Sequence, residues 1–127
     1  MDTTKEFSGM ALVYTEGRPI YADAFIDDLY AKFGVTTNSI IADIGSGTGK
    51  FSKQLIEKGS FVYCVEPNED MRNQAEFELK KYSNCKCVDG DASNTTLKEK
   101  TVNFITTAQA FHWFDAELFK NECRRII

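Results

Sequence analysis

The clearest chemical pattern in the chain is Asp43-Ile44-Gly45-Ser46-Gly47-Thr48-Gly49, an acid followed by three glycines in five residues. Glycine lets a backbone turn sharply and lets a ligand come close to it. A helix starting just after such a loop offers free N–H groups and a partial positive charge. The loop therefore suits an anion or a polar nucleoside ligand, and three ligand classes compete for it. A phosphate loop requires GxxxxGK[ST]. Its GK would fall on Gly49-Lys50, which puts Ile44 where a glycine belongs and Phe51 where a hydroxyl belongs. A dinucleotide loop requires GxGxxG or GxGxxA, and Lys50 stands at its last place. The third pattern, an acid two residues before GxGxG, is met in full.

Asp43-x-Gly45-x-Gly47-x-Gly49 resembles motif I of class I S-adenosylmethionine-dependent methyltransferases. That family's next landmark is an acid at the end of the second strand, and Glu66 stands there, ending the apolar run at 61–66, 23 positions after Asp43. A carboxylate there can accept two hydrogen bonds from a ribose diol. The plain alternative is an acid at a helix start. The resemblance implies S-adenosylmethionine as cofactor, bound by Asp43, Gly45, Ser46, Gly47 and Gly49, with Glu66 on the ribose.

Further stretches carry the resemblance on. Glu66-Pro67-Asn68-Glu69-Asp70-Met71 resembles the family's next segment, which adds Pro67 to the binding set and packs Met71 on adenine, with core packing the alternative for Met71. Asp89-Gly90-Asp91-Ala92 resembles its Asp-Ala pair, which places Asp91 near the adenine amino group with Ala92 beside it. Ala108-Gln109-Ala110-Phe111-His112-Trp113-Phe114 resembles a segment of the type-11 and type-25-like small-molecule methyltransferases, including relatives of trans-aconitate methyltransferase. There Ala108 and Gln109 would face the methionine part of the cofactor. Tyr14-x-x-x-Arg18-Pro19-x-Tyr21 resembles that subgroup's helical cover over the cofactor, which adds Tyr14 and Arg18. The N/D-P-P-Y segment of nucleic-acid adenine methyltransferases is not present at 109–112. The implied reaction displaces a methyl group from a sulfonium, so the protein chiefly positions two partners. His112, the one histidine, is the candidate base; orienting and packing roles beside Trp113 stay open.

Elements must hold these residues in place. Runs at 39–44, 61–66, 85–89 and 101–107 read as buried strands. Tyr21, Phe25, Leu29 and Phe33 recur every four residues and read as a helix stopped by Gly34. Further helices are expected over 50–58, around Met71, Ala75, Leu79 and Tyr82, and after Asp115, a candidate cap. The order predicts an α/β, Rossmann-like, mostly parallel sheet with flanking helices and right-handed crossovers. We read a single domain over 1–127, with a helical cover at 1–34 and a cofactor-binding part at 35–127. The family's sheet runs 3-2-1-4-5-7-6, and four strands and a following helix are legible here. The chain thus resembles the N-terminal half of the domain, and its fourth strand is expected as an open edge prone to self-association.

Composition bounds the remainder. The net charge of −4 argues against a nucleic-acid partner, despite Lys80, Lys81 and Lys86. Cys64, Cys85, Cys87 and Cys123 form no CxxC pair, so no metal site is expected. The N-terminus has no apolar signal core, and no apolar run approaches the roughly 18 residues of a membrane span. The expectation is a cytoplasmic protein acting on a small molecule. Two other functions fit less well: a non-catalytic module that binds the cofactor or pairs with another subunit, and a nicotinamide-binding Rossmann domain, against which Lys50 stands.

Overall fold

β-Branched and aromatic runs build the centre of one six-stranded sheet. The computed structural model describes residues 10–15, 18–23, 26–107 and 115–127. In chain order the elements are β1 (Met10–Thr15), β2 (Arg18–Asp23), α1 (Ile26–Lys32), β3 (Ile40–Ile44), α2 (Lys50–Glu57), β4 (Phe61–Val65), α3 (Glu69–Leu79), β5 (Cys85–Val88), β6 (Phe104–Thr107) and α4 (Ala116–Ile126). The strands lie in the order β2-β1-β6-β3-β4-β5. β5, β4, β3 and β6 are mutually parallel, which reproduces the expected 3-2-1-4 order.

Alternation along each central strand divides the core in two. Ile41, Val62 and Cys64 face one side with Leu29 of α1, Leu55 of α2 and Leu79 of α3. Ala42, Ile44, Val65 and Ile105 face the other with Phe119, Cys123 and Ile126 of α4. Apolar side chains on both faces explain why these strands read as near-continuous hydrophobic runs. The helix ends follow the sequence as well. Asn68 Oδ1 accepts from Met71 N at 3.0 Å, and Asp115 Oδ1 accepts from the N–H groups of Glu117 and Leu118. Gly59, at φ +105°, takes the left-handed turn after α2.

The N-terminal part departs from expectation. In place of a helical cover over 1–34, β1 and β2 form an antiparallel hairpin, and only Ile26–Lys32 is helical. Tyr21 lies in β2, while Leu29 is buried on α1; Phe25 lies outside the described residues. Pro19 helps explain the change. It lacks an N–H and would cost a helix a bond, but it is tolerated in a strand at the sheet edge, where β2 sits. The fourth parallel strand is consequently not an open edge. β1 pairs with it antiparallel, Leu12 opposite Thr107 and Tyr14 opposite Ile105. The premise for self-association through that edge is removed, and the described edges are β2 and β5.

A buried ionic clamp fastens α4 to the loop after β5. Glu122 Oε2 accepts from Thr95 N at 2.8 Å and Thr95 Oγ1 at 2.7 Å. Arg125 grips both oxygens of Glu122 and reaches the Leu97 carbonyl. The Arg125 guanidinium foremost, helped by Thr95 against the cost of burial, pulls the Glu122 carboxyl from its ordinary 4.5 down to about 2. A depressed carboxyl stabilises the fold above its unfolded value and loses that contribution as pH falls toward its folded one. Because Arg125 is partly exposed, the contribution is held to about 2 kcal/mol. Wild-type stability from urea titration should therefore drop between pH 4.5 and 2, and Glu122→Gln should be less stable at pH 7 yet nearly flat over that window. An equally steep acid loss in Glu122→Gln would assign the effect elsewhere.

Candidate functional site

The direction of strand succession reverses between β3 and β6, and in open α/β sheets ligands bind outside the carboxyl ends of the strands at such a point. The glycine loop leaves β3 there. Gly45, Gly47 and Gly49 all have left-handed φ, +70°, +60° and +88°. The N–H groups of Gly45 and Ser46 bond the Val65 carbonyl at 2.8 and 3.1 Å, which ties the loop to β4. Gly49 begins α2, and a Cβ there would meet Leu79 Cδ1 at 3.0 Å. The third glycine thus admits close packing of α2 on α3. A Cβ on Gly47 would lie 4.0 Å from Met71 Sδ, so Met71 lies beside the loop while remaining 45% exposed.

Glu66 binds the loop from the end of β4. Its Oε1 accepts from Gly47 N and its Oε2 from Asn68 N, both at 2.9 Å. An ionised carboxylate has about four lone-pair sites, so two remain beyond these bonds. The acid therefore shapes the loop and retains acceptor capacity for a diol. Pro67 is exposed beside it.

Asp43 plays a different part from Glu66. It is 2% exposed, with Oδ2 taking a bond from Ser52 Oγ at 2.6 Å and Oδ1 one from Thr106 Oγ1 at 3.0 Å. Burial pushes its carboxyl up from 3.8 to about 6; the two hydroxyls oppose the rise and the nearby Glu66 charge adds to it. Asp43 also sits in a row across the sheet, opposite Thr106 on one side and Cys64 on the other, with Cys87 next beyond. All four cysteines are free thiols.

The remaining expected residues divide. Asp91 is exposed, and its Oδ1 accepts from Ser93 N, Ser93 Oγ and Asn94 N at 2.9 Å each, closing its own turn. Ala92 is buried in the core beside α4. Tyr14 and Arg18 lie in the hairpin rather than in a helix, and their side chains lie outside the described residues. Ala108, Gln109 and His112 also lie outside them. Ser52 and Thr106 are contributors that the sequence did not single out. Thr106 is opposite Asp43 only through strand pairing, which no local pattern reveals.

One observation tests the fit of a polar ligand. Ser46 Oγ and Thr107 Oγ1 are buried hydroxyls without a hydrogen-bond partner, at the ends of β3 and β6. Buried polar groups are normally satisfied, so two orphans at the switch point fit a site completed by a polar molecule. Among the described residues no group of three His, Cys, Asp or Glu is placed to hold a metal ion.

Comparison with known proteins decides the family. The model described as a methyltransferase domain matches residues 42–127, more than half of the chain. The chain belongs to the methyltransferase domain family. A methyltransferase-like protein of Schizosaccharomyces pombe is 30% identical over 124 residues, covering 97% of this chain and 47% of its own. A protein from an antibiotic biosynthesis pathway of Anabaena variabilis, described as a candidate methyltransferase, is 33% identical with a TM-score of 0.66 over 80% of this chain and 41% of its own. An S-adenosylmethionine-dependent methyltransferase from Aquifex aeolicus has the same fold, with a TM-score of 0.72 at 24% identity over 79% of this chain and 56% of its own. The chain spans about half the length of the curated relatives it matches. The Rossmann-like sheet and the methyltransferase family are as the sequence led us to expect. The cofactor of this family is S-adenosylmethionine.

Proposed function

We propose that this chain carries the cofactor-binding part of an enzyme that methylates a small molecule. One observation carries the reading: Glu66 bridges the glycine loop and the start of α3 while keeping acceptor sites free, with Met71 over the same loop. In this reading Glu66 holds the ribose hydroxyls, Met71 covers an adenine face, and the orphan hydroxyls of Ser46 and Thr107 bond the polar remainder of the cofactor. Asp91 and Gln109 complete the set at the adenine and methionine ends. When bound, the cofactor supplies an electrophilic methyl group on a sulfonium. The chain's own contribution is to hold it in one orientation, with the Asp43 carboxyl near the end of β3 supplying a charge that favours the cationic cofactor. The small-molecule acceptor is supported by the negative net charge and by the biosynthetic setting of the Anabaena relative. We place the protein in the cytoplasm on the same reading.

Calorimetric titration with S-adenosylmethionine and S-adenosylhomocysteine is the test, and absence of binding at millimolar ligand would overturn the reading. Its pH dependence adds a sharper check. Asp43 should carry its charge above about pH 6 and lose it below. Affinity for the cationic S-adenosylmethionine should therefore fall as pH drops through 6, by roughly tenfold toward pH 5, and S-adenosylhomocysteine, which lacks the sulfonium, should weaken less. Asp43→Asn should flatten the difference between the two ligands. A slope that persists in Asp43→Asn would show that another group titrates.

A further inference from the structure

Arg72, on the first turn of α3, makes contacts that neither the glycine loop nor the two motif acids account for. Its Nη1 donates to the Glu66 carbonyl and to the Pro67 carbonyl, each at 3.0 Å, and lies 3.3 Å from Asp89 Oδ1. The Arg72 side chain is 18% exposed, whereas Asp89 is 73% exposed. One guanidinium thus joins the segment after β4 to the segment after β5. On the far side, Thr96 Oγ1 donates to the Asp89 carbonyl at 2.9 Å, and Thr96 is held at a left-handed φ of +65°, uncommon for a β-branched residue.

These contacts complete the fixing of Glu66. Its N–H bonds the Val88 carbonyl at 3.1 Å, Oε1 takes Gly47 N, Oε2 takes Asn68 N, and its carbonyl is held by Arg72. The Glu66–Pro67 and Pro67–Asn68 peptide planes are the two whose carbonyls Arg72 holds. If either plane rotates, Asn68 N moves away from Glu66 Oε2. The Asn68 side chain, which caps Met71 N, moves with it.

We propose that Arg72 is a positioning residue for the ribose of the cofactor, holding Glu66 in the geometry that meets the ribose hydroxyls. The inference rests on the cofactor reading above. Arg72 itself need not touch the ligand. It acts through Glu66, so its effect should be seen only with ligands that have hydroxyls for Glu66 to hold. A residue that merely docks α3 would weaken every ligand alike.

The experiment is a ligand–variant cycle by calorimetry, using S-adenosylhomocysteine and its 2′,3′-dideoxy analogue against wild type, Arg72→Ala and Arg72→Lys. Arg72→Ala should weaken S-adenosylhomocysteine by about tenfold and the dideoxy analogue by less than about twofold. Arg72→Lys keeps the charge and the stem but loses the planar fork, so it should approach wild-type melting while still discriminating poorly between the two ligands. If Arg72→Ala fails to fold, the Arg72→Lys arm carries the same comparison. Equal weakening of both ligands, or no weakening of either, overturns the positioning role and leaves the cofactor reading standing. Failure of the wild type to bind S-adenosylhomocysteine overturns both.

Discussion

Glu66→Ala should weaken S-adenosylhomocysteine binding by at least about 100-fold. Two effects act together. The variant loses a charged acceptor for two ribose hydroxyls, and hydrogen bonds to charged groups contribute about 1.5–3 kcal/mol each. It also strands the Gly47 and Asn68 N–H groups that the carboxylate now joins. The conservative replacements are expected to fail as well, for reasons visible in the geometry. Glu66→Gln has one oxygen and one NH2, so one of the two backbone N–H groups would face another donor. Glu66→Asp is one methylene too short to span both. Calorimetric titration of the three variants, with circular dichroism to confirm folding, checks this. Affinity within threefold of wild type in Glu66→Gln would show that the carboxylate neither shapes the loop nor meets the ligand.

Gly90→Ala should be the most destabilising single-methyl addition among the described glycines. A Cβ at Gly90 would lie 2.4 Å from the Thr95 carbonyl oxygen, 2.6 Å from its carbon and 2.9 Å from its Cα. All three are backbone atoms, so no side-chain rotation relieves the clash. Thr95 is itself pinned by Glu122, so the strain passes into α4. Overpacking of a rigid interior costs about 1–3 kcal/mol, and a backbone-on-backbone clash belongs at the upper end. For a chain of this size that corresponds to roughly a 10 °C fall in melting temperature. The requirement here is close approach of two chain segments rather than a special dihedral. Gly59→Ala is the contrasting control: its Cβ would meet only the Thr37 side chain, at 3.3–3.4 Å, and its cost comes from φ +105°. Thermal unfolding of both variants, with Gly90→Ala unchanged, would refute the clash argument.

The part of the candidate site whose logic is local was the part the sequence pointed to. The glycines stood out by their spacing, and Glu66 and Met71 through the family resemblance; the structure brings all of these residues together at one loop. The N-terminal hairpin was not legible, and the reason is arithmetic. Tyr21, Phe25, Leu29 and Phe33 are four apart, and a spacing of four satisfies both the i, i+4 face of a helix and the alternating face of a strand. Pro19 could have arbitrated, since it suits an edge strand better than a helix interior. The partners of Asp43 were hidden for another reason. Ser52 projects from the next helix and Thr106 from a strand 63 positions away. Strand register, not sequence proximity, brings Thr106 to the acid. Arg72 escaped notice because a helical arginine on a charged segment is ordinarily a solvated one.

The position of β6 between β1 and β3 also governs the order in which this sheet can be made. β3, α2, β4, α3 and β5 are consecutive in the chain and can assemble as their residues become available. β1 pairs with β2 at once, but neither its other side nor the free side of β3 finds its neighbour until residues 104–107 have been synthesised. The hairpin must therefore wait through nearly the whole chain for the strand that joins it to the parallel sheet. Asp43 remains without its Thr106 bond over the same interval. Such distant pairings are the slow ones in folding, because a long loop must be closed before any contact rewards it. The switch point between β3 and β6 is thus a late product of the chain, made when β6 is inserted as a keystone between two parts that exist before it.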